Sequence, residues 1–175
     1  MIDVAANPSD AVEKALDLFG NDILRLAYSY MKSREDAEDI VQEVLIRLIQ
    51  SAGVFEDESH EKAWLLKVAS NLCKDKLKSA SRQREVAMPE GYDVADEKQE
   101  KKEESDILQI ISQLPEKYRS AIHLYYYEEY SVKEIAEILE KKETTIRSLL
   151  KRGREKLARM LPRQMKGDDG HAAGI

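Results

Sequence analysis

An all-α protein of two small helical domains is predicted by three features of the sequence. Helix breakers are scarce, apolar residues recur at three- and four-residue steps, and an acidic, apolar-poor stretch separates two such patterned halves. Only 7 Gly and 4 Pro occur in 175 residues, about half of ordinary usage; a sandwich or barrel, which needs many turns, is excluded. Charged residues make up 35% of the chain against roughly 25% in ordinary soluble domains, which suits solvated helix faces. Cys73 is the only cysteine, so neither an intrachain disulfide nor a cysteine zinc cluster can form. His60, His123 and His171 stand at no metal-ligand spacing, and no metal, cofactor or catalytic constellation is expected. The apolar runs fall far short of the roughly 20 residues that span a bilayer. Met1-Ile2-Asp3-Val4 lacks the basic start and apolar core of a signal peptide. A cytoplasmic chain that does not insert into a membrane is expected.

The first patterned half runs over residues 10–85. Residues 10–31 read as a helix because Leu16, Phe19, Ile23, Leu26, Ala27 and Tyr30 recur on one side. Ser33 then precedes Glu35-Asp36, a capping residue followed by charges that suit the positive end of a helix. That second helix gathers Ala37, Ile40, Val41, Val44, Leu45, Leu48 and Ile49 and stops at Ser51-Ala52-Gly53. After a short loop from Phe55, Ser59 with Lys62-Ala63-Trp64 opens a third helix. Its apolar stripe is Leu65, Val68, Ala69, Leu72, Cys73, Leu77 and Ala80, which makes Cys73 a core residue rather than a reactive thiol. Trp64, at the start of an amphipathic helix, is likewise expected in the core, the alternative being a ring on which a base stacks. Beside the stripe, Lys67, Asn71, Lys74, Lys78 and Arg82 fall at three- and four-residue steps and form a polar ridge.

Residues 86–106 change character. Pro89, Gly91 and a dense run of Asp, Glu, Lys and Gln predict an acidic flexible linker. The second half, 107–162, restarts with Ile107, Leu108, Ile110, Ile111 and Leu114. Pro115 falls near a helix start, where its missing N–H does no harm. Residues 122–127 are apolar enough to imitate a strand, but helical neighbours and the lack of turn residues make them helix. Ser131-Val132-Lys133-Glu134 is a capping box that opens a short helix over 132–139. A break at 140–143 precedes a last helix over 144–160, and the tail 163–175 is expected to be disordered. Short helix, tight break and longer basic helix make a helix-turn-helix, whose second helix enters the major groove.

A net charge of −6 argues against a nucleic-acid partner, but its distribution argues for one. Residues 62–84 carry seven Lys or Arg against Asp75 alone, and 141–159 carry eight against Glu143 and Glu155. Two basic segments on an acidic body point to a polyanion. In the last helix Thr145, Arg147, Ser148, Lys151 and Arg152 lie opposite Ile146, Leu149, Leu150 and Leu157. Arg can donate two hydrogen bonds to guanine, and Lys or Ser can reach bases or phosphates.

Asp36-Ala37-Glu38-Asp39-Ile40-Val41-Gln42-Glu43 resembles the signature of bacterial sigma factors of the extracytoplasmic-function (ECF) class. The resemblance continues at Lys62-Ala63-Trp64-Leu65-Leu66, Asn71, Asp75, Leu114-Pro115, Tyr118-Arg119, Glu134-Ile135-Ala136 and Thr145-Ile146-Arg147-Ser148, with Arg152, Arg154 and Leu157. It implies that the first domain is region two, which binds core RNA polymerase and opens the promoter's minus-ten element. Asp39, Gln42, Glu43 and Arg47 would then form the polymerase-binding surface. Phe55, Lys62, Asn71, Lys74 and Lys78 would hold the melted non-template strand. The second domain would be region four, with Thr145, Arg147, Ser148, Lys151, Arg152 and Arg154 toward the minus-thirty-five duplex. The resemblance also implies an anti-sigma factor as partner and a free chain that is monomeric.

The sequence departs from the family pattern at three places. The turn position usually held by Gly is Glu140 or Lys141, a left-handed position that costs a side chain on the order of 1 kcal/mol. Leu149 replaces a common basic residue. Gly153 stands where Ala is usual, at up to about 1 kcal/mol in helix propensity. The alternative to a sigma factor is a conventional helix-turn-helix regulator that binds duplex DNA without polymerase, but it has no use for the signature from Asp36 to Glu43. An all-α enzyme lacks a catalytic constellation or a Gly-rich phosphate loop.

Overall fold

The computed structural model describes residues 1–87 and 106–161. The chain divides into two compact units, Met1–Glu104 and Ser105–Ile175. Apart from its ends the linker expected over 86–106 lies outside the described residues, as does the tail 163–175; residues 86–87 belong to a helix, and Asp106 opens another.

The first unit holds β1 (Ile2–Asp3), α1 (Pro8–Met31), α2 (Arg34–Ser51), β2 (Val54–Phe55) and α3 (Glu58–Ala87). α1 begins two residues before the expected start because Asn7 caps it, Oδ1 accepting from the Asp10 N–H at 3.4 Å, and Pro8 fills the first position. Ser33 caps α2 as expected, accepting from the Asp36 N–H. Asp57, not Ser59, caps α3: its Oδ1 accepts from the His60 N–H at 2.8 Å. α1 and α2 both end on residues in the left-handed region, Lys32 (φ 58°) and Ala52 (φ 46°).

The three helices enclose Phe19, Ile23, Leu26, Tyr30, Ile40, Val44, Leu48, Leu65, Leu66, Ala69 and Cys73, the last fully buried as expected. Tyr30 Oη and Ser70 Oγ, 3.0 Å apart inside this core, join α1 to α3. Lys14–Glu58 (3.0 Å) and Lys62–Asp22 (2.8 Å) tie the same pair, and Lys76 joins α3 to Asp36 of α2 at 2.7 Å. One expectation fails here. Leu16 and Ile49, assigned to buried stripes, are 45% and 46% exposed, because each lies at the flank of its stripe. The all-α class holds, with one small addition: β1 and β2 pair antiparallel with Ile2 opposite Phe55 and Asp3 opposite Val54. Strands of two residues are too short to carry a period-two signal.

The second unit holds α4 (Asp106–Ser112), α5 (Glu116–Tyr126), α6 (Val132–Leu139) and α7 (Glu143–Met160). Pro115 stands just before α5. The strand-like run is helical to Tyr126, as expected. The core is Ile111, Leu114, Tyr118, Ala121, Ile122, Leu124, Ile135, Leu139, Ile146 and Leu150. His123 is fully buried, stacked on Tyr127, with Nε2 3.4 Å from Glu128 Oε1. Gly153 has a packing reason that its helix propensity conceals. A Cβ there would lie 2.7 Å from Ile122 Cγ1 and 2.8 Å from Cδ1, so the glycine lets α7 pass close to α5.

Candidate nucleic-acid interface

The helix-turn-helix is set by local hydrogen bonds at both ends of α6. At its start Ser131 Oγ accepts from the Glu134 N–H, while the Glu134 carboxylate accepts from the Ser131 N–H at 2.8 Å and its hydroxyl at 2.6 Å. These bonds from Ser131 hold the Glu134 carboxyl below its ordinary 4.5. At its end Glu140 takes the left-handed conformation (φ 54°, ψ 46°). The Lys141 N–H reaches Ala136 O at 2.9 Å and the Glu140 N–H reaches Glu137 O at 3.3 Å, a Schellman closure without glycine.

α7 then buries Ile146, Leu150 and Gly153 and leaves Thr145, Arg147, Ser148, Lys151, Arg152 and Arg154 all exposed. Arg147 bonds Glu143 one turn back at 2.9 Å, an exposed pair that a phosphate or base can displace at small cost. The six residues expected to meet duplex DNA therefore share one open surface.

In the first unit the expected strand-binding set divides. Asn71, Lys74 and Lys78 lie along one face of α3, with Lys78 exposed and the other two half-buried. Lys62 is nine residues before Asn71, about two and a half turns, and so on the opposite face; there it bridges to Asp22 of α1. Phe55 is only 3% exposed, its ring against His60 and Trp64 with centroids 5.6 Å away in both cases. Phe55 is thus buried and Lys62 paired with α1, while Asn71, Lys74 and Lys78 share one face of α3. Glu61 is also buried, and that burial pushes its carboxyl above the ordinary value while Lys14 draws it back.

On α2, Asp39, Gln42 and Arg47 are exposed and Glu43 is half-buried. Glu43 and Arg47 bond at 3.1 Å, and Asp39 lies 3.6 Å from Lys76 of α3. Gln42 lines a groove of about 310 Å³ between the helices. Leu16, Gly20, Asn21 and Leu24 of α1 line it against Glu38, Val41 and Gln42 of α2. The periodicity reading missed this groove; its signal was the line Leu16, Gly20, Leu24 at four-residue steps beside the buried stripe.

The Sigma-70 region 2 family matches residues 16–83, and the Sigma-70, region 4 family matches residues 104–157. Over 173 residues the chain is 31% identical to the ECF RNA polymerase sigma factor SigW of Bacillus subtilis, covering 90% of this chain and 92% of SigW. The chain belongs to the ECF sigma factors. It is also 32% identical over 143 residues to the ECF RNA polymerase sigma factor SigE of Mycolicibacterium smegmatis, covering 77% of this chain and only 55% of that relative's length. Among solved structures, the sigma factor RpoE in complex with the anti-sigma factor NepR from Bartonella quintana shares its fold. The TM-score is 0.67 at 23% identity, over 89% of this chain and 97% of that one. In this sigma factor the region 2 match runs from the middle of α1 through most of α3, and the region 4 match takes in α4, α5, α6 and most of α7.

Proposed function

We propose that this sigma factor binds core RNA polymerase, reads two promoter elements and holds open the strands at one of them. Region two spans 10–85 and region four 107–162, joined by the acidic linker. Asp39, Gln42, Glu43 and Arg47, with the groove beside Gln42, meet the polymerase. α7 enters the major groove of the minus-thirty-five element. There Arg147 and Arg152 suit guanine edges, Thr145, Ser148 and Lys151 reach bases or phosphates, and Arg154 meets the backbone. Asn71, Lys74 and Lys78 follow the melted non-template strand of the minus-ten element, whose phosphates need cations. The α2–α3 loop meets an unstacked base beside them. The polymerase performs the chemistry, so the chain supplies no catalytic group and no cofactor. It acts in the cytoplasm as a monomer when free, and an anti-sigma factor restrains it.

The observation that carries this function is the uninterrupted exposed polar face of α7 in a chain that also has a region-two unit with its own basic ridge. Run-off transcription tests it, using purified core polymerase on DNA from upstream of the protein's own gene. A discrete transcript that requires the protein is the expected result. No transcript, together with separate elution from core polymerase on a sizing column, would overturn it in favour of a duplex-binding regulator; co-elution would instead fault the template.

A further inference from the structure

The first residues of the chain are built into the loop that separates α2 from α3. Ile2 pairs with Phe55 and Asp3 with Val54, and the Val4 N–H donates to Gly53 O at 3.0 Å. Val4 itself is fully buried. Asp3 Oδ1 then accepts from the N–H groups of Ala5 and Ala6, at 3.0 and 3.3 Å, and turns the chain into Asn7, the cap of α1. Lys14 of α1 returns to Glu58 in the first turn of α3. The loop is thereby enclosed in a ring of contacts that starts and ends on α3.

Inside that ring little freedom remains. Ala52 is held in the left-handed region with its N–H on Ile49 O, and the Gly53 N–H is taken by Ser51 Oγ at 3.2 Å. A Cβ at Gly53 would meet the Phe55 ring at 3.1 Å, so the glycine admits the ring. The pleat sends Phe55 inward onto His60 and Trp64 and leaves Val54 54% exposed on the other side. The Glu56 N–H is taken by His60 Nδ1 at 3.3 Å, and Asp57 caps α3. An isolated pair of two-residue strands is marginal in water, so this ladder persists because Val4 and Phe55 bury their side chains beneath it.

From this we infer that residues 2–5 are a positioning clamp, which fixes the α2–α3 loop so that its outer face, Val54 to His60, meets an unstacked base of single-stranded DNA in one geometry. The inference rests on the proposed role of that loop. The clamp lies outside the region 2 match, which begins at residue 16. Val4 and Ile2 are positioning residues: they reach DNA only through the loop.

The test compares the full chain, a variant lacking residues 2–5, and Val4→Pro, which keeps an apolar side chain but removes the donor to Gly53 O. Each is assembled with core polymerase and used to select from a pool of randomised short single-stranded DNA, with core polymerase alone as background. Acrylamide quenching of Trp64, the only tryptophan, reports whether the loop has left its seat. The expected result is a defined sequence enriched by the full chain. Both variants should weaken that enrichment about tenfold, the scale of losing one base contact, with raised quenching and unchanged co-elution with polymerase. Equal enrichment by all three proteins overturns the clamp and leaves the proposed function standing. No enrichment even by the full chain removes the loop from the DNA interface and the clamp with it. Loss of polymerase binding or of cooperative unfolding in both variants also overturns it, since the segment would then hold the whole unit together.

Discussion

The α6–α7 turn and the α2–α3 loop, each proposed above to aim a surface at nucleic acid, are held in different ways. The turn is self-sufficient. Ser131 and Glu134 satisfy each other at one end of α6, and Glu140 and Lys141 return N–H groups to the same helix at the other. The loop depends in part on distant chain: Val4 and Ile2 from the N-terminus join the nearer His60 and Trp64 of α3. Local closure suits a rigid helix inserted in duplex DNA, where only the angle of α7 has to be set. A loop with the proposed task of meeting a single unstacked base has to be fixed residue by residue, and its own short backbone cannot supply enough partners.

The largest break in this comparison is expected from Phe55→Ala. Removing the ring that joins β2 to His60 and Trp64 should destabilise the first unit by about 3–5 kcal/mol. Urea unfolding followed by Trp64 fluorescence measures it, while helix signal from the second unit should keep its own transition. A smaller loss is expected from Ser131→Ala, about 1 kcal/mol from the second unit, because only a cap is removed and packing is untouched. The same variant tests the pH dependence. The Glu134 carboxyl is depressed in the folded chain, so its contribution is complete above the ordinary 4.5 and is lost as pH falls below that through the lower folded value. Wild type should therefore lose stability in α6 over that acidic range, and Ser131→Ala should lose less, as read from amide exchange of α6. The smallest effect is a gain. Glu140→Gly relieves the left-handed side chain and should stabilise the second unit by up to about 1 kcal/mol, seen as a raised Tm. A loss instead would mean that Glu140 contributes contacts worth more than its strain.

Most helices were legible because their caps and stripes are local: Ser33, the Ser131–Glu134 box and the alternation of buried residues along α3 act within a turn or two. Helix ends were harder to read. Lys32, Ala52 and Glu140 all take positive φ without being glycine, so the usual stop signal is missing from the sequence. The polar face of α7 was fully legible, since a straight helix converts spacing into direction. Whether the residues expected at the melted strand share one face was not legible. Phe55 and Lys62 are near Asn71 and Lys74 in sequence, but one turns into the core and the other onto Asp22 of α1.

The sequence by itself determined the helical class, the two patterned halves, the basic face of α7 and the family, because each depends on periodicity, capping or motif within a short stretch of chain. Tertiary structure alone decided that Gly153 is a crossing point against Ile122, that a groove opens beside Gln42, and that the first residues lie under the α2–α3 loop. Those features join residues dozens of positions apart, and no local pattern records which distant side chain will fill a space.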